Sequence, residues 1–176
     1  MRMRRLSIIL VLLSMMLTSQ AQNVQVEKIC QLYASVKEAQ DYRRQAELPP
    51  NEMVVNNEYM APGAGPVKHV YHYFFSGEYN GEAGDVVYCP QFVTWKYNVG
   101  ARNYYEEYLY YDDGKLAFHY EKGESFEYRH YFDVEGGLIH KAFKGNEEEL
   151  EWLTPDRLLG QAETMRRSFS LLMNGK

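Results

Sequence analysis

The chain has 176 residues, a net charge of −5 and sixteen tyrosines. An acidic chain without a clustered Lys/Arg patch matches phosphate backbones poorly, which excludes nucleic acid as a partner. The length suits one domain large enough to bury a core.

The N-terminus carries Arg2, Arg4 and Arg5, then an apolar run from Leu6 to Leu17, then Thr18-Ser19-Gln20-Ala21. A basic stub, a short greasy stretch and a small-x-small exit form the pattern of a secretory signal. The apolar run of twelve residues falls short of the ~20 that a spanning helix needs. Residues 1–21 are therefore expected to be a signal peptide cut after Ala21. Residues 22–176 then form a single α+β domain with no transmembrane segment, exported to the periplasm or secreted.

Along the remaining chain, Val24 to Glu47 reads as a helix, because Val26, Ile29, Tyr33 and Val36 recur at helical spacing. Leu48-Pro49-Pro50 stops it. Residues 51–66 carry turn chemistry (Asn56-Asn57, Pro62-Gly63), although Met53-Val54-Val55 suits a short edge strand. From Val67 to Phe143 the period changes to two, with strands expected near 67–76, 86–99, 103–111, 115–121, 125–132 and 137–143. Pro90 predicts a bulge or break in the second of them. Asp113-Gly114 is the strongest hairpin signal. Short turns between successive strands specify an antiparallel meander of about six strands. A closing helix starts at Thr154 as N-cap, with Pro155 and Asp156 in its first turn, and ends at Asn174-Gly175. Both helices are expected to pack on one face of the sheet.

A two-residue turn at Asp113-Gly114 opposes Tyr111 to Leu116 and Leu109 to Phe118. With a three-residue turn at Lys122–Glu124, it gathers Tyr105, Leu109, Tyr111, Leu116, Phe118, Tyr120, Phe126, Tyr128, His130 and Phe132 into a core face. The opposite face then presents Tyr104, Glu106, Tyr108, Tyr110, His119, Glu121, Glu127, Arg129 and Tyr131, with His119 between Tyr108 and Glu127. Rings mixed with charges suit a wetted sheet face. They also suit a contact surface, since tyrosine offers large area and a polar tip at low entropic cost. Tyr104, Tyr108, Tyr110, His119, Glu127, Arg129 and Tyr131 are the expected ligand-binding residues.

No nucleophile elbow, zinc-protease motif, phosphate loop or paired Cys-x-x-Cys occurs, so no catalytic residue is assigned and no cofactor is expected. Glu106, His119, Glu121 and Glu127 have the chemistry for acid–base work, but an open sheet face shields them badly from water. His130 and His140 would share a metal only with a third ligand, which the sequence does not identify, and no metal is assigned. Cys30 and Cys89 either form a disulfide or remain two separate thiols; their spacing does not choose.

Two stretches carry a resemblance: Phe92-Val93-Thr94-Trp95-Lys96-Tyr97-Asn98-Val99-Gly100-Ala101-Arg102 with Tyr104-Tyr105-Glu106-Glu107-Tyr108-Leu109-Tyr110, and the Asp-x-Gly hairpins that follow. They resemble a group of small exported proteins of Gram-negative bacteria that brings no activity with it. The hairpins are faintly similar to the Tyr-x-x-Gly-x-Leu meanders of MORN-variant repeats, without their regular tandem spacing. The sequence thus points to a non-catalytic binding or interaction domain for an envelope protein or a glycan. The alternatives are a small hydrolase or metal-dependent enzyme on the His119/Glu127 face, and an accessory protein of envelope assembly or stress.

Overall fold

The computed structural model describes residues 2–47, 51–63, 65–81, 85–145 and 153–175, with side chains from Gln22 onward except those of Asn80 and Asp85. Its elements are α1 (Arg2–Gln45), β1 (Glu52–Ala61), β2 (Gly65–Asn80), β3 (Asp85–Val99), β4 (Arg102–Tyr110), β5 (Leu116–Lys122), β6 (Glu127–Phe132), β7 (Leu138–Lys144) and α2 (Pro155–Asn174). The expected α+β class and the antiparallel meander are both present. The seven strands lie side by side in chain order, each antiparallel to the next. The extra strand is β1: Met53-Val54-Val55 extends through Asn56-Asn57 to Ala61 and pairs with β2, from Glu52 opposite Phe74 to Ala61 opposite Gly65. Pairing outweighs the turn propensity of the two asparagines, and the reversal falls at Pro62-Gly63 instead.

Near Pro90 the register of β2 and β3 shifts, so that Phe74 faces Phe92 while Phe75 faces Pro90. Gln91 is the additional residue, and it lets an amide-less proline sit inside a long strand. At the end of the chain the helix signals hold. The Thr154 hydroxyl accepts from the Arg157 amide, and Gly175 closes α2 at φ 68°.

The helices do not share a face; they cover opposite ones. On α2, the buried Leu158, Ala162, Met165 and Phe169 pack with Tyr73, Val93, Tyr108, Tyr110, Leu116, Phe126, Tyr128 and Phe132. On α1, Ile29 and Val36 pack with Phe74, Phe92, Leu109, Ala117 and Phe118. Neighbouring strand residues such as Tyr73 and Phe74, or Tyr108 and Leu109, therefore serve different cores, as the alternation of a strand requires. Each stripe finds its own apolar row. Where the two helices pack, the middle of the sheet is therefore covered on both sides.

Two local reversals explain the rest of the difference. At Asp112-Asp113-Gly114 the turn has three residues, with the Tyr111 amide donating to the Lys115 carbonyl (2.9 Å) and Gly114 at φ 81°. A shift at Ala117 then restores Leu109 opposite Phe118 and Tyr108 opposite His119, while Tyr110 faces Leu116. The second reversal falls at Glu124-Ser125, where the Gly123 amide donates to the Phe126 carbonyl (3.1 Å) and Lys122 faces Glu127. An odd shift in register turns every side chain of a strand over. Tyr128, His130 and Phe132 consequently join the α2 side, and Glu127, Arg129 and Tyr131 the α1 side.

Candidate functional site

The residues expected to form one exposed surface are divided by the sheet. Tyr104, Tyr108, Tyr110 and His119 lie on the α2 side, where Tyr108 and His119 are 0 % exposed and Tyr110 is 2 % exposed. The Tyr110 hydroxyl donates to the Ala162 carbonyl of α2 at 3.0 Å. Tyr104 is half-buried and stacks on Tyr97, with ring centroids 5.1 Å apart. Glu127, Arg129 and Tyr131 are half-buried on the α1 side. His119 faces His130 rather than Glu127, so a His119/Glu127 catalytic face does not form. His140 faces Tyr131, which also separates it from His130. Both cysteines are free, with Cys30 exposed on α1 and Cys89 half-buried on β3.

The α1 side holds a cleft of about 330 Å³ between the helix and strands β4 to β6. Its lining includes Tyr33, Glu107, Phe118, Tyr120, Arg129 and Tyr131. Helical spacing from Ile29 brings Tyr33 onto the face of α1 that meets the sheet, where it packs edge-on against Phe92 and Phe118, both at 5.7 Å. Its hydroxyl donates to Glu107 Oε2 at 2.8 Å, and that of Tyr105 donates to Glu107 Oε1 at 2.7 Å. Burial first, then these bonds to Glu107, push both phenols well above their ordinary range. Arg129 stands over the Tyr120 ring at 5.0 Å and reaches Glu127 at 3.4 Å. The cleft thus combines an aromatic wall, a fixed carboxylate and a guanidinium.

The α2 side holds a second concentration of polar chemistry, sealed in the core. Glu106 on β4 lies directly opposite Glu121 on β5, next to the Tyr108–His119 pair. Like charges facing each other across a ladder repel. Glu106 is well satisfied: Tyr97 donates to Oε1 at 2.9 Å, Tyr108 donates to Oε2, and His119 Nε2 lies 3.2 Å from Oε2. Glu121, 0 % exposed, has neither oxygen hydrogen-bonded among the described residues. Burial, with the facing Glu106 charge, pushes its carboxyl up to about 8, and Arg157 partly offsets this. His130, whose Nδ1 lies 3.5 Å from that of His119, is pushed down to about 4 by burial and by the His119 and Lys141 charges.

The sequence reading gave no site role to Tyr33 and Glu107, and it assigned Phe118 and Tyr120 of the same cleft to a core face. Tyr33 was visible only as part of a helical stripe, and Glu107 only as one member of an acidic pair; both acquire meaning from α1 lying on the far side. Comparison with family models, curated proteins and solved structures finds no match to this chain.

Proposed function

We propose that the chain is a non-catalytic binding domain of an exported protein, and that it holds a glycan unit of the cell envelope in the cleft beneath α1. What carries the reading is the cleft itself, in which Tyr33, Phe118, Tyr120 and Tyr131 meet Arg129 and Glu107. Concave sites of roughly 300–1,000 Å³ with a few convergent polar groups are the usual size for small-ligand binding. An aromatic wall packs against the C–H face of a sugar ring, and a guanidinium and a carboxylate exchange hydrogen bonds with its hydroxyls. Arg129 and Tyr131, named from the sequence as contact residues, keep that role here; Tyr108, Tyr110 and His119, buried beneath α2, leave it.

Calorimetric titration with soluble envelope oligosaccharides tests the proposal. Saturable binding to the wild type, lost in Arg129→Ala and weakened in Tyr120→Ala, supports it. Binding that persists in both variants overturns it. An envelope protein is the second reading, favoured by β1, an edge strand on which Val54, Tyr59 and Met60 are exposed. An extended segment could add to such an edge by main-chain pairing. Capture that survives Arg129→Ala but fails when a proline replaces Val54 would favour that partner over the glycan.

A further inference from the structure

We propose that Glu106, His119 and Glu121 form a binding site for one divalent transition-metal ion of the zinc class, held as a structural ion beneath α2. The inference is independent of the cleft, which lies across the sheet.

Geometry is the first support. One donor atom from each of the three side chains lies within 4.8 Å of the other two. Zinc binds imidazole nitrogen and carboxylate oxygen at about 2.0–2.2 Å, so two donors on one tetrahedral ion stand about 3.3 Å apart. His119 Nε2 and Glu106 Oε2 are 3.2 Å apart. Glu121 comes from the residue directly opposite Glu106, so a small adjustment of one side chain completes the set.

The second support is the state of Glu121, a fully buried carboxyl with both oxygens unpartnered among the described residues. Leaving a buried polar group without a partner costs about 1–3 kcal/mol, and more for a charge. Arg157 on α2 lends a favourable field but no hydrogen bond to it. A dication bound between Glu106 and Glu121 would neutralise both carboxylates and supply the missing partner to Glu121.

The third is the surrounding shell. Metal-bound imidazoles usually hydrogen-bond through their other nitrogen, which fixes the tautomer. His119 Nδ1 lies 3.5 Å from His130 Nδ1, leaving Nε2 for the ion. Tyr97 holds the second oxygen of Glu106 at 2.9 Å. An imidazole beside two carboxylates selects zinc or a neighbouring first-row metal over calcium or magnesium, which prefer all-oxygen shells. Three side chains would leave the fourth tetrahedral position to a water enclosed with the ion, and burial of all three ligands keeps a substrate from reaching it, which suits a structural ion.

The test uses purified, tag-free protein, stripped with chelator, dialysed against ZnCl2 and assayed for bound zinc; a Cys30→Ser version removes the exposed thiol as a competing ligand. One zinc per chain is expected, with a raised Tm, in both versions. Glu121→Gln should weaken zinc binding at least ~100-fold while the metal-free variant melts at or above the metal-free wild type, so the loss cannot come from misfolding. Glu163→Gln on the surface of α2 should bind as the wild type does. Failure of the wild type to retain zinc, equal retention by Glu121→Gln, or retention of calcium in preference to zinc would overturn the proposal.

Discussion

The two faces of this sheet are made by alternate residues of the same strands, yet they do different work. On the α2 face, Tyr108, His119, Glu121 and Tyr128 are all but inaccessible, and polar groups there satisfy one another or go without. On the α1 face, Arg129, Tyr120 and Tyr131 remain half-open around a cleft. The difference follows from what each helix brings. From α2 come Leu158, Ala162, Met165 and Phe169, closely spaced and all buried. Among the described side chains of α1, Ile29 and Val36 are the buried apolar ones, with the half-buried Tyr33 and Lys37 beside them. A helix that seats few apolar side chains leaves room beside it. Chemical type alone therefore does not mark a site: histidine and glutamate are in the sealed core, and the accessible cleft is mainly aromatic.

The largest expected effect is at the seat of α2. Phe169 packs on Tyr73 and Phe75, both at 5.4 Å, so Phe169→Ala should cost about 3–5 kcal/mol in urea unfolding. A cost under about 1 kcal/mol would mean that the α2 face is not a tightly packed core.

Next in size is Glu121. Its folded pKa of about 8 lies above the ordinary carboxylate value of 4.5. Its contribution is thus fully present below about 4.5 and lost as pH rises through about 8. Metal-free wild type should lose stability across that window, and Glu121→Gln should flatten the slope. At pH 8.5, Glu121→Leu should be neutral or stabilise by up to ~4 kcal/mol. A slope of the opposite sign would mean that Glu121 is solvated or paired.

The cleft should behave differently. Arg129→Ala breaks a partly exposed ion pair with Glu127, and its cost to stability should stay within about 1 kcal/mol even if binding is abolished. Tyr33→Phe removes one bond to Glu107 and should cost about 0.5–1.5 kcal/mol. Unfolding by either would make the cleft wall part of the core and erase the contrast.

The smallest effect belongs to the outer surface of α2. Arg166 and Arg167 bond Glu163 at 2.8 and 2.7 Å and hold its carboxyl down to about 2. The contribution is present above about 4.5 and lost as pH falls through about 2. Glu163→Gln should cost only about 0.3–0.5 kcal/mol, less at high salt.

Much of the architecture was legible because local chemistry and tertiary pairing agree. Thr154, Pro155 and Gly175 bound α2, Pro90 marks the β2–β3 irregularity, and the hairpin glycines sit at positive φ, with Gly114 at 81° and Gly136 at 91°. Those two hairpins are true equivalents. Each closes through matching amide bonds, Gly114 to Tyr111 and Gly136 to Asp133, after a shift at Leu109/Tyr110 or Tyr131/Phe132. Tyr110 thus corresponds to Phe132.

The candidate site was less legible, for two physical reasons. Register at Glu124-Ser125 depends on a turn with no strong signature, and one odd shift moved Glu127, Arg129 and Tyr131 to the other face. Nor does an amphipathic stripe say which side of a sheet it will cover. Assigning both helices to one face left the other open in expectation. With one helix on each, Tyr108 and His119 fell into the core and Tyr33 rose to the rim of the cleft.

The most direct measurement is a titration of isotope-labelled protein with soluble envelope oligosaccharides, followed by amide and side-chain chemical shifts. The account predicts saturable shifts gathered on Tyr33, Glu107, Tyr120, Arg129 and Tyr131, with His119 and Glu121 unmoved. Shifts centred on β1, or no saturable shift at all, would contradict it.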